Sequence, residues 1–151
     1  NFIFPQILAM ALQLIDHGSA QYQQMVDLRY QLLRKPLGMQ FSPEELEHEK
    51  TDILMGCFDD GVLEACCLLT EMDKETVRLR QMAVLKGLQG KGIGRVLLQF
   101  AENVARDRGY HYLKMHARKT ALGFYEKLGY KVAGTEFLEL GIPHLLMEKK
   151  L

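Results

Sequence analysis

The residues best placed to do chemistry lie between positions 79 and 110. Four glycines fall within residues 87–94: Gly87, Gly90, Gly92 and Gly94. Before them runs Leu79-Arg80-Gln81-Met82-Ala83-Val84-Leu85, a strand-like segment. After them Ile93, Val96, Leu97, Phe100 and Val104 recur at i, i+3, i+4, i+7 and i+11, which is one face of a helix. Gly109 follows the basic Arg106 and Arg108 as a stop signal. The first N–H groups of a helix have no partner inside it. Glycine lets the backbone approach a ligand and adopt positive φ. The helix dipole adds partial positive charge at the same place. A strand, a glycine-rich turn and a helix N-terminus therefore make an anion site, with phosphate or pyrophosphate as the natural guest.

Spacing narrows the choice. The pattern G-x-x-x-x-G-K-[ST] fails, because Ile93-Gly94 follows Gly92 where Lys-Ser/Thr is required. The pattern G-x-G-x-x-G fails as well, because its third glycine falls on Arg95. What remains is Gln89-x-x-Gly92-x-Gly94. A second cluster lies downstream, Ala121-Leu122-Gly123-Phe124-Tyr125-Glu126-Lys127-Leu128-Gly129-Tyr130.

The elements that must position these residues follow from pattern. Residues 11–16 read as a strand with Leu12 and Leu14 on one face, and His17-Gly18 turns it. Ser19 caps a helix to about residue 33, with Tyr22, Met25, Val26, Arg29, Leu32 and Leu33 along one side. Lys35-Pro36-Leu37-Gly38-Met39 breaks it. Ser42-Pro43-Glu44-Glu45 is a capping box that opens a second helix. Strands over 53–58, 62–72 and 76–85 form an antiparallel meander, turned at Asp59-Asp60-Gly61 and Asp73-Lys74-Glu75. A helix over 92–108 crosses to a fifth strand, 110–117, which lies parallel to the fourth. A short helix over 120–128 ends at Gly129, and strands over 130–137 and 144–149 close the chain. The order is β-α-α-β-β-β-α-β-α-β-β. Strict alternation is absent, so the class is α+β with a mixed sheet.

A chain of 151 residues suits one domain. Nineteen Lys and Arg balance nineteen Asp and Glu, so bulk attraction to nucleic acid or to an anionic membrane is not indicated. No apolar run approaches the roughly 20 residues of a membrane helix. Residues 1–9 are apolar but lack a basic n-region, since the first Lys or Arg is Arg29. They read as an expression leader, with Met10 as the natural start and 10–151 as the single domain. Cys57, Cys66 and Cys67 show no C-x-x-C spacing and read as buried reduced thiols of a cytoplasmic protein. The five histidines show no metal-ligand spacing.

Two motifs resemble those of the GNAT superfamily, the acetyl-CoA-dependent N-acetyltransferases. Gln89-x-x-Gly92-x-Gly94 is similar to its Gln/Arg-x-x-Gly-x-Gly/Ala signature, and Gln81-Met82-Ala83-Val84 to its fourth strand. Ala121, Phe124, Tyr125, Lys127 and Gly129 are in register with its Ala-x-x-Phe-Tyr-x-Lys-x-Gly-Phe core. The ending Phe137-x-x-x-Gly141-Ile142-Pro143-His144-x-x-Met147 resembles one bacterial branch. The resemblance covers residues 10–151. It implies a mostly antiparallel sheet whose parallel fourth and fifth strands splay around acetyl-CoA. It implies acetyl transfer to a primary amine, on a small molecule, a peptide or a protein, by direct attack in a ternary complex. A non-catalytic acyl-CoA sensor of the same fold is the alternative. Relatives often pair as dimers.

The resemblance also implies roles. Gln89, Gly90, Lys91, Gly92, Ile93, Gly94 and Arg95 hold the CoA pyrophosphate. The main chain of Met82, Ala83 and Val84 serves the pantetheine arm, with the Met82 N–H aimed at the thioester carbonyl, where a fixed donor stabilises an oxyanion. Tyr125 protonates the departing thiolate; a phenol and a thiol are close enough in acidity for that transfer to be nearly balanced. Phe124 and Lys127 flank it. Arg118 stands where asparagine often does, which changes the contacts to pantetheine. The base is open. Removing a proton from an alkylammonium at pH 7 costs about 4–5 kcal/mol. Many protein-acetylating relatives use a glutamate four residues before Met82, but here that residue is Arg78. His116, His144, Glu64, Glu71 or ordered water are the candidates. Arg29 and residues 35–41 border the acceptor groove.

Overall fold

The structure, a computed structural model, describes residues 10–151. The expectation for residues 1–9 lies outside them. The described residues divide into two compact units, 10–69 with Gln81–Ala101, and Thr70–Arg80 with Glu102–Leu151.

In the first unit, β1 (Met10–Ile15), β2 (Ile53–Asp59) and β3 (Val62–Glu71) pair antiparallel in sequence order. Asp60 and Gly61, with φ of +49° and +78°, form the two-residue turn between β2 and β3. Both central residues at positive φ suit the right-handed twist of a hairpin. Helix α1 (Ala20–Arg29) starts where Ser19 accepts from the Tyr22 N–H, as its sequence demands. A wider turn over Tyr30–Arg34 and a tight one over Lys35–Leu37 follow. Helix α2 (Pro43–His48) carries the full capping box of Ser42 and Glu45.

The core of this unit joins Ile15, Tyr22, Met25, Leu28, Leu54, Phe58, Leu63, Cys66 and Leu68. Alternation in β1 favours Leu12 and Leu14 for burial, but Leu14 is 48% exposed and Ile15 is buried. Tyr22, Met25 and Leu28 of α1 pack on the Ile15 side, so tertiary docking selects the face. A methyl added at Gly56 would lie 2.6 Å from Leu63 Cδ1 and 3.0 Å from Ile15 Cδ1, so it would force those two core side chains to shift.

In the second unit the start of β4 (Thr76–Val84) runs parallel to β5 (Tyr112–Arg118), over Thr76↔Tyr112 to Leu79↔Met115. Helix α3 (Ile93–Asp107) links the two strands, the connection that a parallel pair requires. After β5, helix α4 (Leu122–Lys127) ends at Gly129, whose φ is +95°. Three strands follow where pattern indicates two: β6 (Lys131–Val132), β7 (Phe137–Glu139) and β8 (Ile142–Lys150). Gly134 at φ +130° interrupts the first run, and Leu140-Gly141 at +53° and +76° turns β7 onto β8. Strand β8 pairs antiparallel with β5, β6 and β7. The sheet is therefore mixed and the class α+β.

The α3 stripe is also shifted from its sequence reading. Leu97, Leu98, Ala101, Glu102 and Ala105 are buried, whereas Val96, Phe100 and Val104 are only partly covered. Glu102 survives burial because it is paired. It accepts from Tyr130 Oη at 2.7 Å and from Lys149 Nζ at 3.1 and 3.2 Å. Burial and this hydrogen bond push the Tyr130 phenol well above its ordinary range. Lys149 Nζ also donates to the Leu128 carbonyl at 2.9 Å, closing the end of α4.

Candidate functional site

In the first unit the sequence-predicted loop is built around main-chain conformation. Gly87, Gly90 and Gly92 hold φ of +94°, +80° and +85°, and a methyl added at any of them meets nothing within 4 Å. Glycine is needed there by the backbone, and the space above it is open. The Gly92 carbonyl accepts from the Val96 N–H at 3.1 Å, the first bond of α3. The N–H groups of Ile93, Gly94 and Arg95 are thus the orphan donors of a fifteen-residue helix. Gln89, Gly90, Lys91, Gly92 and Arg95 are exposed, and Ile93 is buried beneath them. Gln89 Nε2 donates to the Val84 carbonyl at 3.1 Å and so ties the loop to the end of β4.

One feature of β4 is invisible to pattern reading. Gln81 sits at φ +57° inside the strand, immediately before Met82. A non-glycine residue there costs on the order of 1–3 kcal/mol, the kind of strain that gathers at working sites. The residue re-aims the backbone in the manner of a bulge. The β4–β5 ladder ends at Leu79 and Met115, just before it.

Two other candidate bases differ in their surroundings. Burial and the Asp59 charge raise the Glu64 carboxyl. Glu71 accepts from the Tyr110 hydroxyl. Arg29, expected at the border of a groove, is fully buried. It holds Glu49 through Nη1 and Nη2 at 3.1 and 2.9 Å, and Glu49 also accepts from Tyr22 at 2.7 Å. Phe41 lies under both guanidinium groups, 4.9 Å from Arg29 and 4.2 Å from Arg34. These contacts fix the segment after α1 to the end of α2.

In the second unit α4 presents Tyr125, 9% exposed, with its ring edge-on to Phe124 at 5.1 Å and to Tyr130 at 5.9 Å. The Tyr125 carbonyl accepts from the Leu128 and Tyr130 N–H groups, which pins its backbone. Phe124 is 42% exposed, and Arg118 and Lys127 are exposed cations on β5 and α4. The two candidate histidines meet at one carboxylate. His116 Nδ1 lies 2.8 Å from Glu139 Oε1, and His144 Nε2 lies 3.6 Å from Glu139 Oε2. Strand register explains this: His144 faces Phe137 on β7 and Arg118 on β5. Sequence reasoning did not single out Glu139, because only the β7–β8 turn brings it to β5.

Residues 26–151 match the family model described as the acetyltransferase (GNAT) domain. YyaT of Bacillus subtilis (strain 168) is 37% identical over 76 residues, 50% of this chain and 51% of that protein, so the aligned part spans about half of that relative. A crystal structure from Lactobacillus plantarum superposes with a TM-score of 0.85 at 25% identity, covering 95% of this chain and 99% of the other. A crystal structure of aminoglycoside 6'-N-acetyltransferase complexed with coenzyme A superposes with a TM-score of 0.79 at 18% identity, over 93% and 96%.

Proposed function

This chain belongs to the GNAT acetyltransferase family, and we propose that it moves an acetyl group from acetyl-CoA to a primary amine by direct attack in a ternary complex. The observation that carries the reading is the glycine loop. Three glycines at positive φ, open space above them and the orphan N–H groups of Ile93, Gly94 and Arg95 fit a pyrophosphate. Lys91 and Arg95 add positive charge beside it. A neighbour of the same fold is solved with coenzyme A, which agrees with that guest.

The chemistry then distributes over named residues. The Met82 N–H holds the thioester carbonyl, and its hydrogen bond strengthens as the oxygen gains charge. Main-chain groups of Ala83 and Val84 run along pantetheine, with Phe124, Lys127 and Arg118 as side-chain contacts. The amine nitrogen forms its bond to the carbonyl carbon while the carbon–sulfur bond breaks. Tyr125 gives its proton to the thiolate and is recharged from the second proton of the attacking nitrogen. No thiol intermediate is needed: burial pushes the Cys66 thiol up to about 12 and raises Cys67 well above its ordinary value.

The acceptor is a primary amine on a small molecule, an amino sugar, a peptide terminus or a lysine. The test is release of free CoA thiol from acetyl-CoA across a panel of such amines. At least one amine should accelerate release and appear acetylated by mass. Binding of CoA with no amine-dependent release would make the protein an acyl-CoA sensor instead.

A further inference from the structure

We propose that Glu139 is a positioning residue, which holds His116 in the tautomer whose Nε2 takes the proton of the acceptor ammonium. The inference rests on the acetyltransferase reading and names the base that the family motifs leave open.

His116 Nδ1 has two neighbours at equal distance, Glu139 Oε1 and Arg78 Nη2, both at 2.8 Å. One nitrogen cannot serve both. A guanidinium only donates, so toward Arg78 the Nδ1 must offer a lone pair, and the ring proton then sits on Nε2. A carboxylate only accepts, so toward Glu139 the Nδ1 must carry the proton, and Nε2 is left bare. Only the second tautomer presents its basic lone pair at Nε2; in the first the lone pair is on Nδ1, taken up by Arg78. The carboxylate is ionised at neutral pH. Burial pushes Glu139 up, but the His116 hydrogen bond and the charges of His116, His144 and Arg78 hold it below the ordinary range. A charge-assisted bond to a carboxylate is stronger than a neutral one. Arg78 loses little by yielding Nδ1, because its Nη2 keeps Glu139 Oε1 at 3.7 Å.

His144 is the weaker candidate. Its Nδ1 lies 2.7 Å from the Ile142 carbonyl, which only accepts, so Nδ1 carries the proton. Its Nε2 faces Glu139 rather than solvent, and the side chain is 8% exposed. The His116 side chain is 29% exposed, and its Nε2 has no hydrogen-bond partner among the described residues. Phe137 stands edge-on to the His116 ring at 5.1 Å and stacks on His144 at 5.9 Å, fixing both planes. His116 is also the first β5 residue past the last pair with β4. In the step, R–NH3+ gives one proton to His116 Nε2, and the imidazolium so formed is balanced by Glu139. The freed nitrogen pair attacks the thioester, and the imidazolium later returns its proton to water.

The experiment uses the whole chain with ¹⁵N-labelled histidine. Nitrogen shifts of neutral His116 should report a proton on Nδ1 in the wild type and on Nε2 in Glu139→Ala, with Glu139→Asp restoring Nδ1. Turnover with an active amine should fall by about 10²–10⁴-fold in His116→Gln. In Glu139→Ala it should fall by about 10²-fold or more, the signature of a wrong tautomer. The Michaelis constant for acetyl-CoA should stay near native in both. An Nε2 proton in the wild type overturns the proposal outright, even if Glu139→Ala fails to fold. So does an unchanged tautomer in Glu139→Ala, or near-native turnover in His116→Gln. A wild type that releases no thiol with any amine sinks the acetyltransferase reading itself, a result separate from thiol release that is indifferent to His116.

Discussion

The glycine loop offers main-chain N–H groups to open space, whereas β5, α4 and β7 offer side chains. The loop has room for side chains at Gly87, Gly90 and Gly92, but its positive φ strains any residue other than glycine there. On the proposed reading the difference separates binding from chemistry: the loop would hold a guest in ground and transition state alike, whereas a proton donor would act mainly in the transition state.

The largest expected effect follows from that separation. Tyr125→Phe removes one oxygen and keeps the ring against Phe124 and Tyr130. Turnover should fall by about 10²–10⁴-fold with little change in the Michaelis constant for acetyl-CoA. Steady-state thiol release, with folding checked by the thermal transition, reads it. Near-native turnover would make Tyr125 a packing residue. A side chain that only holds structure should behave otherwise. Glu49→Gln leaves buried Arg29 without its counter-charge and should cost about 3–5 kcal/mol. The melting temperature should drop by about 6–20 °C, while the Michaelis constant of the folded fraction stays native. A drop under 2 °C, on the same scale, would show that the pair is replaceable.

Gly92→Glu places bulk and negative charge at φ +85° where an anion is to bind. Coenzyme A at a hundredfold its dissociation constant should stabilise the wild type by about 2.7 kcal/mol, and this variant not at all. An undiminished thermal shift would place the coenzyme elsewhere. Gln89→Ala is the mildest. It removes the bond to the Val84 carbonyl and should weaken coenzyme binding by about 1 kcal/mol, roughly fivefold. Calorimetry measures it, and a loss as large as that of Gly92→Glu would mean the side chain, not the backbone, makes the loop.

Features set by a few adjacent residues were legible in the sequence. The Ser19 cap, the Ser42–Glu45 box, the Asp60-Gly61 turn and the positive-φ glycines of the loop each follow from local chemistry. Features set by distant partners were not. The left-handed Gln81 carries no local signal, since glutamine has no preference for that region. Buried Glu102 takes its hydrogen bonds from Tyr130 and Lys149, 28 and 47 residues away. The third C-terminal strand depends on Leu140 accepting a positive φ that its side chain disfavours. Glu139 became visible only once β7 folded back on β8.

The cysteines have a practical consequence. All three are free and 0% exposed, on β2 and β3. A folded chain therefore offers an aromatic disulfide reagent no thiolate, and colour developed in a continuous assay counts released coenzyme alone. In denaturant the same chain should expose three thiols at once. Their labelling rate becomes a clock for how often the sheet opens, read without any engineered probe.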